Sequence, residues 1–137
     1  MAVISELLRV EGDGTISFGD YTLDTKAKLD NFNHNGAVYK VKTYKDITKL
    51  ECNDMFVYES VPGTAVSNFN KVDGKVSFSA SGVEGAQITL GLEPETEYEV
   101  TVDGESAGVM STNLGGKLSI SVEIEAEKTV FISVAKK

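Results

Sequence analysis

The sequence predicts an all-β, antiparallel protein, and three observations predict it. Apolar and polar residues alternate with a period of two over much of the second half, dipeptides that favour positive φ punctuate the chain, and no stretch carries the apolar repeat of a long helix. Alternation is clearest beyond residue 74. There Val76, Phe78 and Ala80 alternate with Ser77, Ser79 and Ser81, and Ala86, Ile88, Leu90 and Leu92 repeat the period. Tyr98, Val100 and Val102 follow, then Leu118, Ile120, Val122 and Ile124, and finally Val130, Ile132 and Val134. Each set falls on one face of a strand, which suits a sheet with one wet and one buried side. Runs at 65–69 and 106–111 bring the total to seven short strands, the number of a small two-sheet sandwich.

The turns come from residues that enter the left-handed region cheaply: Asp13-Gly14, Asn35-Gly36, Asp73-Gly74, Asp103-Gly104 and Gly115-Gly116. Val61-Pro62-Gly63-Thr64 reads as a type II Pro-Gly turn and as the boundary between an N-terminal β segment, 1–62, and a sandwich, 63–137. In the first segment Ala37 to Thr43 and Met55 to Ser60 read as strands. Thr15 to Leu23 reads as two short strands split at Gly19-Asp20, and Ser5 to Val10 as a strand or a helical turn.

Composition narrows function. At 137 residues the chain is long enough to bury a core without disulfides or a metal, and its 41% apolar and 25% charged residues are ordinary globular values. The net charge of −8 is spread over both parts: residues 1–62 hold 7 basic and 10 acidic side chains, and residues 63–137 hold 6 and 11. A negative surface repels phosphate backbones, which speaks against nucleic acid as a partner. A single cysteine, Cys52, rules out an intrachain disulfide. The first ten residues lack the basic leader and apolar run of a signal peptide, and no run reaches the length of a membrane helix, so the expected location is cytoplasmic with no membrane partner.

One motif carries specific information. In Gly91-Leu92-Glu93-Pro94-Glu95-Thr96-Glu97-Tyr98-Glu99-Val100-Thr101-Val102 the spacing is Leu-x-Pro-x-Thr-x-Tyr-x-Val-x-Val, and in the family pattern it resembles, Leu92 and Tyr98 pack inward while Pro94 fixes the turn. The segment resembles the corner before the sixth strand of fibronectin type III domains. That resemblance implies an immunoglobulin-like or fibronectin-type C-terminal sandwich in which the Tyr98 hydroxyl bonds back to the main chain. The usual tryptophan of that family is absent. The text from Val102 to Gly108 and from Thr112 to Ile120 is similar to β-domains appended to bacterial polysaccharide-active enzymes. Over its whole length, including Met55 to Thr64 and Thr112 to Leu118, the chain looks like a group of short bacterial proteins labelled endosialidase. Sialidases grip the carboxylate of their substrate with several arginines, and this chain has only Arg9, so sialidase activity would require subunits to pool them.

No catalytic, cofactor or metal constellation stands out. Glu93, Glu95, Glu97 and Glu99, and likewise Glu123, Glu125 and Glu127, form acidic rows that read as solvated faces, with calcium binding or a paired-carboxylate hydrolase as the functional alternatives. His34 and Cys52 would form a dyad only if the fold brought them together. Lys26, Lys28, Lys40, Lys42, Lys45 and Lys49 are close in sequence but interspersed with Asp24, Asp30, Asp46 and Glu51, and read as a mixed-charge face. The aromatics are unevenly placed: Phe18, Tyr21, Phe32, Tyr39, Tyr44, Phe56 and Tyr58 put seven of the 11 within the first 62 residues. Core packing is the commonest use of such residues; the functional readings for some of these seven are a surface between copies of the chain, since interfaces are rich in Tyr and Phe, and a sugar-stacking platform. The expected function is therefore non-enzymatic: a structural protein that forms homo-oligomers, or else a carbohydrate-binding accessory module with a glycan partner.

Overall fold

The computed structural model describes every residue except Met1, Ala2, Ser5, Asp73 and Glu127. Among the described residues there are thirteen strands: β1 (Leu8–Val10), β2 (Ile16–Phe18), β3 (Ala27–His34), β4 (Ala37–Tyr44), β5 (Ile47–Cys52), β6 (Met55–Val61), β7 (Ala65–Val72), β8 (Lys75–Ser81), β9 (Ala86–Gly91), β10 (Glu97–Val102), β11 (Glu105–Ser111), β12 (Lys117–Val122) and β13 (Thr129–Lys136). There is no helix among the described residues, and hence none long and apolar enough to cross a membrane. Two antiparallel sheets enclose the core, one in the order β1-β2-β7-β8-β13-β10-β11 and the other in the order β12-β9-β6-β5-β4-β3. The period of two holds through the C-terminal strands. In β12, for example, Leu118, Ile120 and Val122 are buried while Lys117, Ser119 and Ser121 are exposed.

Strand pairing departs from the immunoglobulin order expected for the C-terminal part. There the seventh strand would join the sixth on the opposite sheet; here β13 lies between β8 and β10, and β12 pairs with β9 alone. The reason is visible in the register. Lys75 opposes Ala135, Ser81 opposes Thr129, Ala86 opposes Val122, Gly91 opposes Lys117, Glu97 opposes Ser111 and Val102 opposes Glu105. These pairs belong to one long hairpin closed at Asp103-Gly104, where both residues take positive φ (51° and 84°). The hairpin folds from one sheet to the other and back, which is the wrap of a jelly roll. Backbone hydrogen bonds continue round one bend: Leu92 N–H donates to the Gly116 carbonyl (2.7 Å) and Thr112 N–H to the Thr96 carbonyl (3.0 Å).

The break at Val61-Pro62 does not separate two sheets. β6 pairs with β9, β2 pairs with β7, and one hydrophobic core draws Phe18, Val41, Leu50 and Tyr58 together with Phe69, Phe78, Ile88 and Ile132. Nor is the turn there of type II. The Val61–Pro62 peptide is cis, and Gly63 is not among the positive-φ glycines. Glycine is needed for space instead, because a Cβ at 63 would sit 2.1 Å from the Tyr44 carbonyl oxygen.

Several N-terminal expectations also change. Leu8–Val10 is a strand, although Ser5 lies outside the described residues. Only the first of the two strands expected in 15–23 forms, as β2; Tyr21 and Thr22 turn, held by Asp20, whose carboxylate accepts from Thr22 N–H (2.9 Å). Two strands lie outside the expected set: β3, whose Asp30, Asn31 and Asn33 disfavour a strand, and β5, which alternates but for the buried Thr48. The β5–β6 hairpin uses Asn53-Asp54, both at positive φ, a turn without the glycine that marked the others. Gly115-Gly116 joins strands of different sheets and closes no hairpin. Asp73 of the fourth expected turn is outside the described residues; β7 and β8 do pair on either side of it.

Candidate functional site

The seven N-terminal aromatics separate into three environments. Phe18, Tyr21 and Tyr58 are buried in the chain's own core, so these three cannot form a surface between copies. Phe18 and Tyr58 meet edge to face at 5.3 Å, and both contact Phe69 (5.8 and 6.4 Å), which stacks at 5.6 Å on Phe78. The physical reason is the sheet pairing: residues 65–81 cross the same interlayer, so the surplus of aromatics in the first segment is used by the second. The Tyr21 hydroxyl is buried without a hydrogen-bond partner, and burial pushes its phenol up from the ordinary value. Tyr44 and Phe56 are half-buried on the outer side of the six-stranded sheet, where Lys26 lies 5.9 Å from the Tyr44 ring and Lys117 lies 4.7 Å from the Phe56 ring. Phe32 and Tyr39 are half-buried on the inner side, at the edge of the core.

Around Tyr39 the two sheets part and leave a cleft of about 350 Å³. Its floor is Ile16, Phe69 and Val57; its walls include Tyr39, Cys52, Asn70 and Lys71. The β3–β4 hairpin carries His34 to the rim, where its Nε2 is 3.2 Å from the Gly14 carbonyl oxygen. The ring lies 6.5 Å from that of Tyr39. Tyr39 and Cys52 are direct cross-strand partners. Burial first, and the neighbouring Cys52 second, hold the Tyr39 phenol above its ordinary value, so the hydroxyl is a neutral donor at physiological pH. Thus the fold brings His34 and Cys52 to the lining of one cleft. The arrangement offers an aromatic face, amide groups and one ammonium, which are the groups of a binding site.

Elsewhere the predicted sites resolve into structural roles. Tyr98 is buried and its hydroxyl accepts from the Glu93 backbone N–H at 3.2 Å. Leu92 is partly buried against the core and Pro94 is exposed on the turn between them. The corner is closed by Thr112, whose Oγ1 accepts from Thr96 N–H (2.9 Å). Glu93, Glu95, Glu97, Glu99, Glu123 and Glu125 are exposed, with Glu93 paired to Lys136 (2.6 Å) and Glu125 to Lys128 (2.9 Å); Glu127 lies outside the described residues. Among the described residues no group of three or more His, Cys, Asp and Glu side chains could hold a metal ion.

The chain matches no known protein family, no curated protein and no solved structure. Function is therefore argued from its own surfaces, and the most unusual of them is an edge. The seven-stranded sheet ends in β11, where six of seven residues are exposed and Met110 is partly so. Edge strands present unpaired N–H and C=O groups and are usually guarded by lysine, proline or brevity. At the other three edges, β1 has only three residues, β3 carries Lys28 and Asp30 and a register shift between Leu29 and Phe32, and β12 begins with Lys117. β11 carries one charge, Glu105, and an exposed Val109. Its single protective feature is Gly108, at φ 101°, opposite the shift in β10.

Proposed function

We propose that this protein is a non-enzymatic assembly module that associates with copies of itself through β11. The observation that carries the reading is the length and exposure of that edge: six of its seven residues are exposed and, apart from Glu105 and the register shift at Gly108, it carries none of the lysines that mark β3 and β12. Two β11 strands laid antiparallel about a twofold axis would satisfy each other's main-chain groups and join two sheets into one, a mode of association that needs no pocket. Val109 would meet the partner strand near that axis. The expected result is a concentration-dependent dimer in light scattering over a dilution series. Val109→Lys would set two like charges near the axis and shift the mass to monomer while leaving the unfolding free energy of the monomer within about 0.5 kcal/mol of the parent, since the position is on the surface. A monomeric mass at every concentration of the parent chain would end this reading.

A second reading, a glycan-binding module, is favoured by the cleft beside Tyr39. A half-buried phenol ring with Asn70, Lys71 and His34 around it provides a stacking face and hydrogen-bonding groups of both kinds. Saturable binding on a glycan array is expected, weakened roughly tenfold by Tyr39→Ala, the loss of one stacking contact and one hydroxyl. An array without a hit removes this reading and leaves the first untouched.

A further inference from the structure

We infer that the outer face of β3, β4 and β5 binds an acidic polysaccharide carrying one carboxylate per sugar ring, and that Lys28, Lys42 and Lys49 hold it. Pairing in this part of the sheet sets Lys28 directly opposite Lys42, and Lys42 directly opposite Lys49. Three ammonium groups thus stand in a line that crosses three strands. Neighbouring strands are about 4.8 Å apart, so the line is roughly 10 Å long. Like charges directly opposite one another on a sheet are destabilising, and the chain has ample acid to avoid the arrangement, with 21 Asp and Glu against 13 Lys and Arg. Yet none of the three lysines is in an ion pair among the described residues, whereas Lys40 beside them reaches Glu51 at 3.8 Å. Glu59, opposite Lys49 on β6, lies at the end of the row without an ion pair to it.

The row lines a shallow hollow of about 160 Å³ whose other walls are Asp30, Lys40 and Glu51. That composition selects among anions. A string of single carboxylates can place one charge on each lysine and keep clear of the two acids. Any polyanion meets the repulsion of a chain at −8, and a nucleic acid, with its denser charge, meets more of it at Asp30 and Glu51 than a polymer with one charge per ring. Sugar hydroxyls between the carboxylates suit the acids as donors to them, which a polyphosphate does not. The face is on the opposite side of the sheet from the Tyr39 cleft and in the other sheet from β11, so it stands or falls independently of both readings above.

Titration calorimetry at low salt with polygalacturonate as the probe tests this, with neutral dextran and duplex DNA as comparators. Expected is saturable binding of polygalacturonate alone, weakening as salt rises. Lys42→Gln removes the central charge and should weaken it roughly tenfold, the loss of one charge-assisted contact, with a thermal midpoint equal to or above that of the parent because a like-charge clash goes with it. Lys75→Gln, on the other sheet, should bind as the parent does. Three results overturn the inference: no saturable binding by the parent chain, unchanged binding by Lys42→Gln, or DNA bound as tightly as polygalacturonate.

Discussion

Replacing Phe18 with alanine is expected to destabilise the whole chain by about 3–5 kcal/mol, the usual cost of deleting a buried aromatic, and to do so within one unfolding transition. Phe18 is fully buried, and its ring meets Tyr58 from the same segment and Phe69 from the other side of Pro62. The cavity left by the ring would open at the joint between β2, β6 and β7, where relaxation is resisted because the strands are fixed by pairing to β8 and β9. Urea denaturation followed by far-ultraviolet circular dichroism and by tyrosine fluorescence should give coincident curves for parent and variant, with the midpoint of the variant lowered. Two separable transitions, with only the first moved by the substitution, would mean that residues 1–62 fold as a unit of their own.

Thr48→Val is expected to cost about 2–6 kcal/mol although it hardly changes volume or shape. Thr48 Oγ1 is the centre of a buried hydroxyl network: it donates to the Thr64 carbonyl (2.8 Å), accepts from the Thr64 N–H (3.0 Å) and meets Thr43 Oγ1 at 2.8 Å. Thr43 Oγ1 in turn accepts from Asp20 N–H (3.0 Å), while Thr64 Oγ1 joins the Tyr58 hydroxyl and Ser60 Oγ, each at 2.8 Å. Thr43, Thr48, Ser60 and Thr64 are all without solvent exposure. A valine would leave one N–H and one carbonyl in the interior with no partner, at about 1–3 kcal/mol for each such group. Thr48→Ser, which keeps the oxygen and loses a methyl, should cost less, in the range of about 1 kcal/mol for one buried methyl group. Should the valine variant prove as stable as the serine variant by denaturant midpoint, packing would be the role of this residue and the network incidental. The network also explains Gly19, whose φ is 99° and where a Cβ would come 2.4 Å from the Thr64 carbonyl oxygen. Main chain packs on main chain there because the hydroxyls draw β5, the residues after Pro62 and the turn after β2 together.

The elements that were legible are those whose signal is local. Seven C-terminal strands follow from apolar residues two apart, and the hairpins at Asn35-Gly36 and Asp103-Gly104 follow from residues that accept positive φ. β5 was missed because a threonine at an inward position looks polar, when in fact its hydroxyl is satisfied by residues 16 positions away. β3 was missed because asparagine and aspartate disfavour strands, and only its pairing with β4 offsets that preference. Of the seven aromatics of the first segment, Phe18, Tyr21 and Tyr58 serve the core of the whole chain, because composition cannot say which later strand will lie across from them. His34 and Cys52 are 18 positions apart, Lys28 and Lys42 are 14 apart and Lys42 and Lys49 are 7 apart, and both sets converge only through hairpin register.

What the sequence by itself determined is that this chain makes antiparallel strands, where most of them run, which face of each is buried, and that it carries an acidic surface with one arginine and one cysteine. Strand period and turn chemistry are properties of a few adjacent residues, so they survive without knowledge of the rest. Only the tertiary structure decided that the C-terminal strands form one rolled hairpin, that both segments share a core, that β11 lies at the edge of a sheet, and that three lysines stand in line. Each of these depends on which strand pairs with which and in what register, and that choice is settled by the burial of the whole set of apolar faces at once, a sum no single segment contains.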